Sequence, residues 1–125
     1  MDTARVAERL AELYRRREFA IARNELFARD AVSHAPTVAP VRRGLAQAPA
    51  RQQGALPQWS RLIEQLHGIE VEEPLVAGNC FALTMALDST VPGHGRRTLD
   101  GLCGYYLVAG DKIVSEQFFY TERGG

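Results

Sequence analysis

The sequence is poor in several things at once. Of its 125 residues only two are cysteines, Cys80 and Cys103, two are methionines and one is tryptophan. Two cysteines so far apart exclude a disulfide framework and make reduced thiols the expected state. Net charge is missing too: 15 Lys and Arg stand against 15 Asp and Glu. Without clustered, uncompensated cations there is no electrostatic footprint for nucleic acid, and nothing holds copies of the chain apart. No stretch reaches the roughly 18 to 20 apolar residues of a membrane span. The best candidate, Pro74 to Val91, is broken by Asn79, Thr84 and Asp88. Charges in the first turns, Met1 to Leu10, leave no apolar core for a secretory signal. These absences predict a cytoplasmic protein that partners neither nucleic acid nor membrane. Lysine is nearly absent, Lys112 standing alone, while arginine and alanine are abundant, a bias expected of a GC-rich bacterial genome.

What is present is ordinary for a globular chain: 46% apolar and 24% charged residues. At this length one domain over residues 1–125 is expected, burying roughly two-thirds of its unfolded surface. Asp2 or Thr3 can cap a helix running to about Arg17, with Val6, Leu10, Leu13 and Tyr14 on one face. A second helix is expected over about Phe19 to Ala28, then a short strand, Ala31 to His34, closed by Pro36. Pro36, Pro40, Pro49, Gly54 and Pro57 argue against one long helix between them. From Pro57 a third helix is expected, because Trp59, Leu62, Ile63 and Leu66 fall at i, i+3, i+4 and i+7.

After Gly68 the apolar period changes to two. Ile69, Val71 and Leu75 mark one strand; Phe81, Leu83, Met85 and Leu87 mark the next. Thr98 to Val108 and Lys112 to Tyr120 read as strands joined by Ala109-Gly110-Asp111. Helices first and strands last predict an α+β domain, an antiparallel sheet with helices on one face.

Three segments together resemble the nuclear-transport-factor-2-like superfamily, in its SnoaL-like branch. They are Glu25-Leu26-Phe27-Ala28-Arg29-Asp30-Ala31-Val32, Arg43-Gly44-Leu45, and Gly110-Asp111-Lys112-Ile113-Val114-Ser115-Glu116-Gln117-Phe118-Phe119-Tyr120. The resemblance implies a cone: a curved antiparallel sheet wrapped around about three N-terminal helices, with a pocket between them. Its members include ketosteroid isomerases, polyketide cyclases, epoxide hydrolases, dehydratases and proteins without known activity, so function has to be argued from the site. Ketosteroid isomerase chemistry itself is not implied. Its general-base aspartate corresponds to Ala35 and its oxyanion-stabilising aspartate to Cys103. Its helix-one tyrosine is not clearly matched, since Tyr14 lies about a turn too late.

Parity assigns the strand faces. If Leu107 faces Val114, one face carries Leu99, Gly101, Cys103, Tyr105 and Leu107 with Val114, Glu116, Phe118 and Tyr120. The resemblance makes this the pocket face. The other carries Asp100, Leu102, Gly104, Tyr106 and Val108 with Ile113, Ser115, Gln117 and Phe119. A one-residue slip exchanges the faces, and a bulge would bring in Asp100.

Glu116, set between Val114 and Phe118, is the leading acid–base candidate, because desolvation raises a carboxyl pKa; alternatively it is a rim glutamate in water. Tyr105 and Tyr120 can donate phenolic hydrogen bonds or simply fill the core. His34, at the end of the first strand, can serve acid–base chemistry near neutral pH or sit on the surface. Tyr14, Trp59, Met85, Leu99, Cys103 and Phe118 are pocket-lining candidates, against a plain core reading. His34, His67 and His94 have no metal-ligand spacing with either cysteine, so neither metal nor cofactor is expected. Two functions follow. A non-catalytic pocket for a small hydrophobic metabolite is favoured by Ala35 and Cys103; an isomerase-, cyclase-, dehydratase- or hydrolase-type enzyme would use Glu116 with Tyr105, Tyr120 or His34. A symmetric homodimer is expected through the convex sheet face, formed by Leu102, Tyr106, Val108, Ile113 and Phe119.

Overall fold

Helix α1, Thr3–Arg15, begins where Asp2 accepts a hydrogen bond from the Arg5 amide at 2.9 Å. That side chain satisfies one of the helix's orphan donors. Its apolar stripe, Val6, Ala7, Leu10, Ala11, Leu13 and Tyr14, is wholly buried. The helix stops two residues short of the expected Arg17. Arg17 takes a left-handed backbone (φ 59°), its amide bonds to the Tyr14 carbonyl, and the Glu18 amide reaches the Leu13 carbonyl. This is a Schellman stop with arginine where glycine is usual. The arginine has a second task, since its guanidinium bonds the carbonyls of Leu66 and His67. Arg15 likewise bonds the Val71 carbonyl, so the helix end is tied to a strand far away in sequence.

The structure, a computed structural model, describes residues 2–34, 37–39, 50–51, 64–93 and 95–121. After α1 come α2 (Phe19–Leu26), β1 (Phe27–Ser33), β2 (Thr37–Ala39), β3 (Ala50–Arg51), β4 (Gln65–Val71), β5 (Leu75–Ala77), β6 (Cys80–Val91), β7 (Gly95–Ala109) and β8 (Lys112–Thr121). One sheet runs in the order β3-β1-β8-β7-β6-β4, with β2 also paired to β8 and β5 to β6. The α+β cone expected from the sequence is the observed class, with three corrections.

First, the sheet is mixed: β1 and β2 both run parallel to β8. Local alternation cannot reveal that a strand leaving a helix joins the last strand rather than a hairpin partner. Second, two helices, not three, occur among the described residues. Gln65 and Leu66, expected to end a third helix, belong to β4. Pairing with β6 outweighs the helical spacing, while Trp59, Leu62 and Ile63 lie outside the described residues, as does Arg43-Gly44-Leu45. Third, α2 runs straight into β1 at Phe27, so the strand begins four residues earlier than expected.

The alternation in β6 is as the sequence indicated: Phe81, Leu83, Met85, Leu87 and Ser89 are buried. The hairpin β7–β8 turns at Gly110-Asp111, where Gly110 takes a positive φ of 66°, the position that primed two-residue turns reserve for glycine. A bulge in β7 lies between the pairs Met85↔Leu102 and Leu87↔Leu99, where Gly101 has a φ of 71°.

A second bulge overturns the parity assignment. Val108 pairs with Ile113, but Leu107 pairs with Ser115 and Tyr106 with Glu116. The extra residue in β8 moves every later partner by one. Leu102, Tyr106 and Val108 alternate into the core along β7, with Tyr106 beside buried Phe81 of β6, and with Ile113 they form no exposed outer patch. Cys103, Tyr105 and Leu107 take the outer face instead. No described helix is long and apolar enough to cross a membrane.

Gly104 lies on the inner face of β7, opposite Leu83 and Phe118. A Cβ there would come within 2.7 Å of the Tyr106 ring, 2.9 Å of its hydroxyl and 2.9 Å of the Phe118 ring. The absent side chain is what lets these aromatics close over the strand. Gly104→Ala should therefore lose about 1–3 kcal/mol of unfolding free energy, the usual penalty of overpacking. Urea denaturation checks this, and pairing it with Tyr106→Leu should cost less than the sum of the two changes.

Candidate functional site

One cross-strand row organises the inner face. Phe81 of β6 pairs with Tyr106 of β7, Tyr106 with Glu116 of β8, and Glu116 with Ser33 of β1. Paired residues share a face, so an acid and two hydroxyls meet inside the cone. Glu116 is 1% exposed, and the Ser33 hydroxyl donates to its Oε1 at 2.8 Å. The His34 amide also donates to the Glu116 backbone carbonyl at 3.0 Å, locking β1 beside β8 at the acid.

Aromatic packing holds Tyr106 in place. Its ring stacks on Phe81 at 4.7 Å and 11°, and meets Phe118 edge-on at 6.0 Å and Phe27 at 6.4 Å. From above, α1 contributes Tyr14, itself edge-on to Phe19 at 5.3 Å. Burial holds the Tyr14 phenol far above its ordinary range, and the charge of Glu116 adds to this. Tyr106 is raised in the same way, by burial first and then by Tyr14 and Glu116. Both phenols thus stay protonated beside an acid.

Arg23 of α2 completes the cluster. Its guanidinium carbon stands 4.6 Å over the Phe27 ring. Burial lowers its pKa while Glu116, Tyr14 and Tyr106 oppose that fall.

The candidates named from the sequence separate. Glu116, Phe118, Tyr14 and Met85 are buried in the inner cluster and core. His34 is half-buried just beyond β1 and joins the acid through its backbone. Tyr105 and Cys103 are corrected to the outer face, because β7 pairs with β6 so that Tyr106 and Gly104 face the buried Phe81 and Leu83. Tyr105 is 51% exposed, and contact with the Cys80 thiol raises its pKa. Cys103 is half-buried opposite Phe119. Trp59 lies outside the described residues, as do the side chains of Tyr120, Leu99 and Asp100. Sequence reasoning missed Ser33, Arg23 and the inward Tyr106. The spacing Gly104-x-Tyr106 was the available signal for Tyr106, an aromatic folded over a missing side chain; Ser33 and Arg23 had none. Among the described residues no three His, Cys, Asp or Glu side chains are grouped to hold a metal ion.

A sheet wrapped on helices around such a row defines a class, and the chain belongs to it: it matches the SnoaL-like domain family over residues 1–120. It is 33% identical to a Mesorhizobium loti protein whose name places it with SnoaL-like polyketide cyclases. That likeness has a TM-score of 0.72 and covers 96% of this chain and 100% of the other. A Xanthomonas campestris protein of unknown function with a cystatin-like fold is 15% identical, with a TM-score of 0.68, over 98% of this chain and 92% of that one. A Catenulispora acidiphila protein with a ketosteroid isomerase-like fold, solved in complex with trimethylamine, is 16% identical. Its TM-score is 0.59, over 93% of this chain and 85% of that one. None of the curated proteins matches the chain.

The phenols set an alkaline limit on stability. Above the ordinary phenol value of 10.0, the unfolded chain releases protons that folded Tyr14 and Tyr106 keep. Stability should be unaffected by these groups below that pH and fall as pH rises past it. The slope approaches about 1.4 kcal/mol per pH unit for each phenol. Urea unfolding at a series of alkaline pH values measures it, and Tyr106→Phe should remove about half of the slope, whereas an unchanged slope would contradict the assignment.

Proposed function

We propose that the protein takes up a small, largely apolar, carbonyl-bearing molecule in the cone and that Glu116 moves a proton on it. The observation that carries this reading is the Ser33–Glu116 hydrogen bond of 2.8 Å at an acid that is 1% exposed. An acid excluded from water, oriented by a hydroxyl and flanked by two neutral phenols has the parts of an enolising site. Glu116 would take the proton from the carbon next to the carbonyl. The C–H bond breaks, its electron pair moves onto the carbonyl oxygen, and Tyr14 or Tyr106 donates to the oxyanion. Return of the proton to a different carbon, or attack by the carbanion on a second carbonyl, would give isomerase-type or cyclase-type outcomes. The Mesorhizobium loti relative's name fits the second.

A non-catalytic binding role is the second reading. It is favoured by the inner face of β7, where Leu102, Gly104, Tyr106 and Val108 offer no carboxylate. Deuterium exchange separates the two. In heavy water, the protein should catalyse exchange next to the carbonyl of members of a panel of aromatic and alicyclic ketones. Glu116→Gln should slow this by about 100-fold or more while leaving ligand binding measurable. Absence of exchange across the panel, with binding intact, would leave the binding reading standing.

The working particle is proposed to be a dimer through the outer sheet face. Two cross-strand rows, Leu75–Ala82–Tyr105–Gln117 and Ala77–Cys80–Leu107–Ser115, lie side by side there. Leu75 (76%), Tyr105 and Leu107 (37%) are exposed, and the neutral chain opposes no second copy by charge. Sedimentation velocity at micromolar concentration should show a dimer, converted to monomer by Tyr105→Glu with Leu107→Glu at unchanged circular dichroism. A monomeric wild type would refute it.

A further inference from the structure

Arg23 has an aromatic ring against its guanidinium and a buried nitrogen without a partner. Its guanidinium carbon lies over the Phe27 ring, 4.6 Å from the centroid, a cation–π contact. The donors of a guanidinium point outward in its plane. Among the described residues Arg23 makes no ion pair, and its buried Nε has no hydrogen-bond partner. Two other arginines show what that edge takes in this same chain. Arg9 holds Glu25 through Nε and Nη2 at 2.7 and 3.0 Å. Arg96 holds Asp88 through the same two nitrogens at 3.0 and 2.7 Å. At Arg23 the Nε of this side-on fork is unmet, and burial makes an unmet donor costly.

We propose that the ligand of this cone carries a carboxylate, and that Arg23 receives it through its Nε edge. This rests on the reading that the cone holds a small apolar ligand, and it names the ligand's class: an apolar, unsaturated carboxylic acid. The acid group sits on the arginine, and the unsaturated body lies against the ring cluster of Phe27, Tyr106 and Phe118. A planar, two-point grip on a carboxylate is what arginine supplies and lysine does not. Glu116 and the bound carboxylate face one cation between them. Tyr14, Tyr106 and Ser33 complete the surroundings of Glu116.

Isothermal titration calorimetry with cinnamate and its neutral isostere cinnamamide tests this on the full chain. Cinnamate should bind at least tenfold tighter than cinnamamide. Arg23→Gln should abolish that preference, and Arg23→Lys should keep only part of it. Equal binding of the two compounds, no binding of cinnamate at millimolar concentration, or an unchanged preference in Arg23→Gln would each overturn the proposal. Should Arg23→Gln fail to fold by circular dichroism, Arg23→Lys decides alone: full retention of the preference refutes the two-point grip. Glu116→Gln should keep or strengthen cinnamate binding while losing deuterium exchange. Failure of the carboxylate site and failure of proton transfer are therefore read separately.

Discussion

The register of β7 against β8 is the constraint on which the rest depends. After the tight turn at Gly110-Asp111, one residue of β8 bulges, and Tyr106 comes to face Glu116 instead of its neighbour Tyr105. Side chains alternate along a strand, so a slip of one residue exchanges every inward group for an outward one. Val108, ahead of the bulge, is already buried with Ile113, so alternation along β7 keeps Tyr106 inside beside Phe81; without the bulge Glu116 would fall opposite Tyr105 on the outer face. With it, Phe81, Tyr106, Glu116 and Ser33 form a single row across four strands.

That row also sets the energetics. Removing a carboxylate from water costs several kcal/mol unless hydrogen bonds and nearby opposite charge offset it. Here the Ser33 hydroxyl from β1 donates to the carboxylate and the Arg23 charge from α2 acts on it, with the phenols of Tyr14 and Tyr106 close by. Strand pairing places Ser33, whereas apolar contact places Tyr106, Tyr14 and Arg23. Tyr106 is clamped between Phe81 and Phe118 over the open space at Gly104. Tyr14 rides on the buried stripe of α1, and Arg23 rests on Phe27. The polar cluster is therefore held by its aromatic frame, the arrangement a site needs if it is to keep its geometry while a proton or a ligand comes and goes.

Much of the architecture was legible. The stripe of α1, the alternation of β6 and the turn of the final hairpin follow from spacing and turn chemistry within short windows. The family resemblance added the cone. What was not legible is non-local. Leu66 has helical spacing with Trp59 and Ile63, yet it pairs in a strand with Ser89. β1 offers no sign that it will run parallel to β8, and Ser33 is unremarkable until that pairing puts it on Glu116.

The sequence by itself determined which residues are apolar, where the chain can turn, and that an acid lies between Ser115 and Gln117 in the strand after the Gly110-Asp111 turn. Tertiary structure alone decided which partners that acid meets. Hydrophobic period and turn residues act over a few positions. A bulge in a sheet, and the docking of α1 and α2 upon it, are settled by packing among residues up to a hundred positions apart. So Tyr105 and Tyr106, adjacent and identical in kind, were sorted into an exposed and a buried group by the pairing of β7 with β6, and a single extra residue in β8 turned Glu116 toward the buried one.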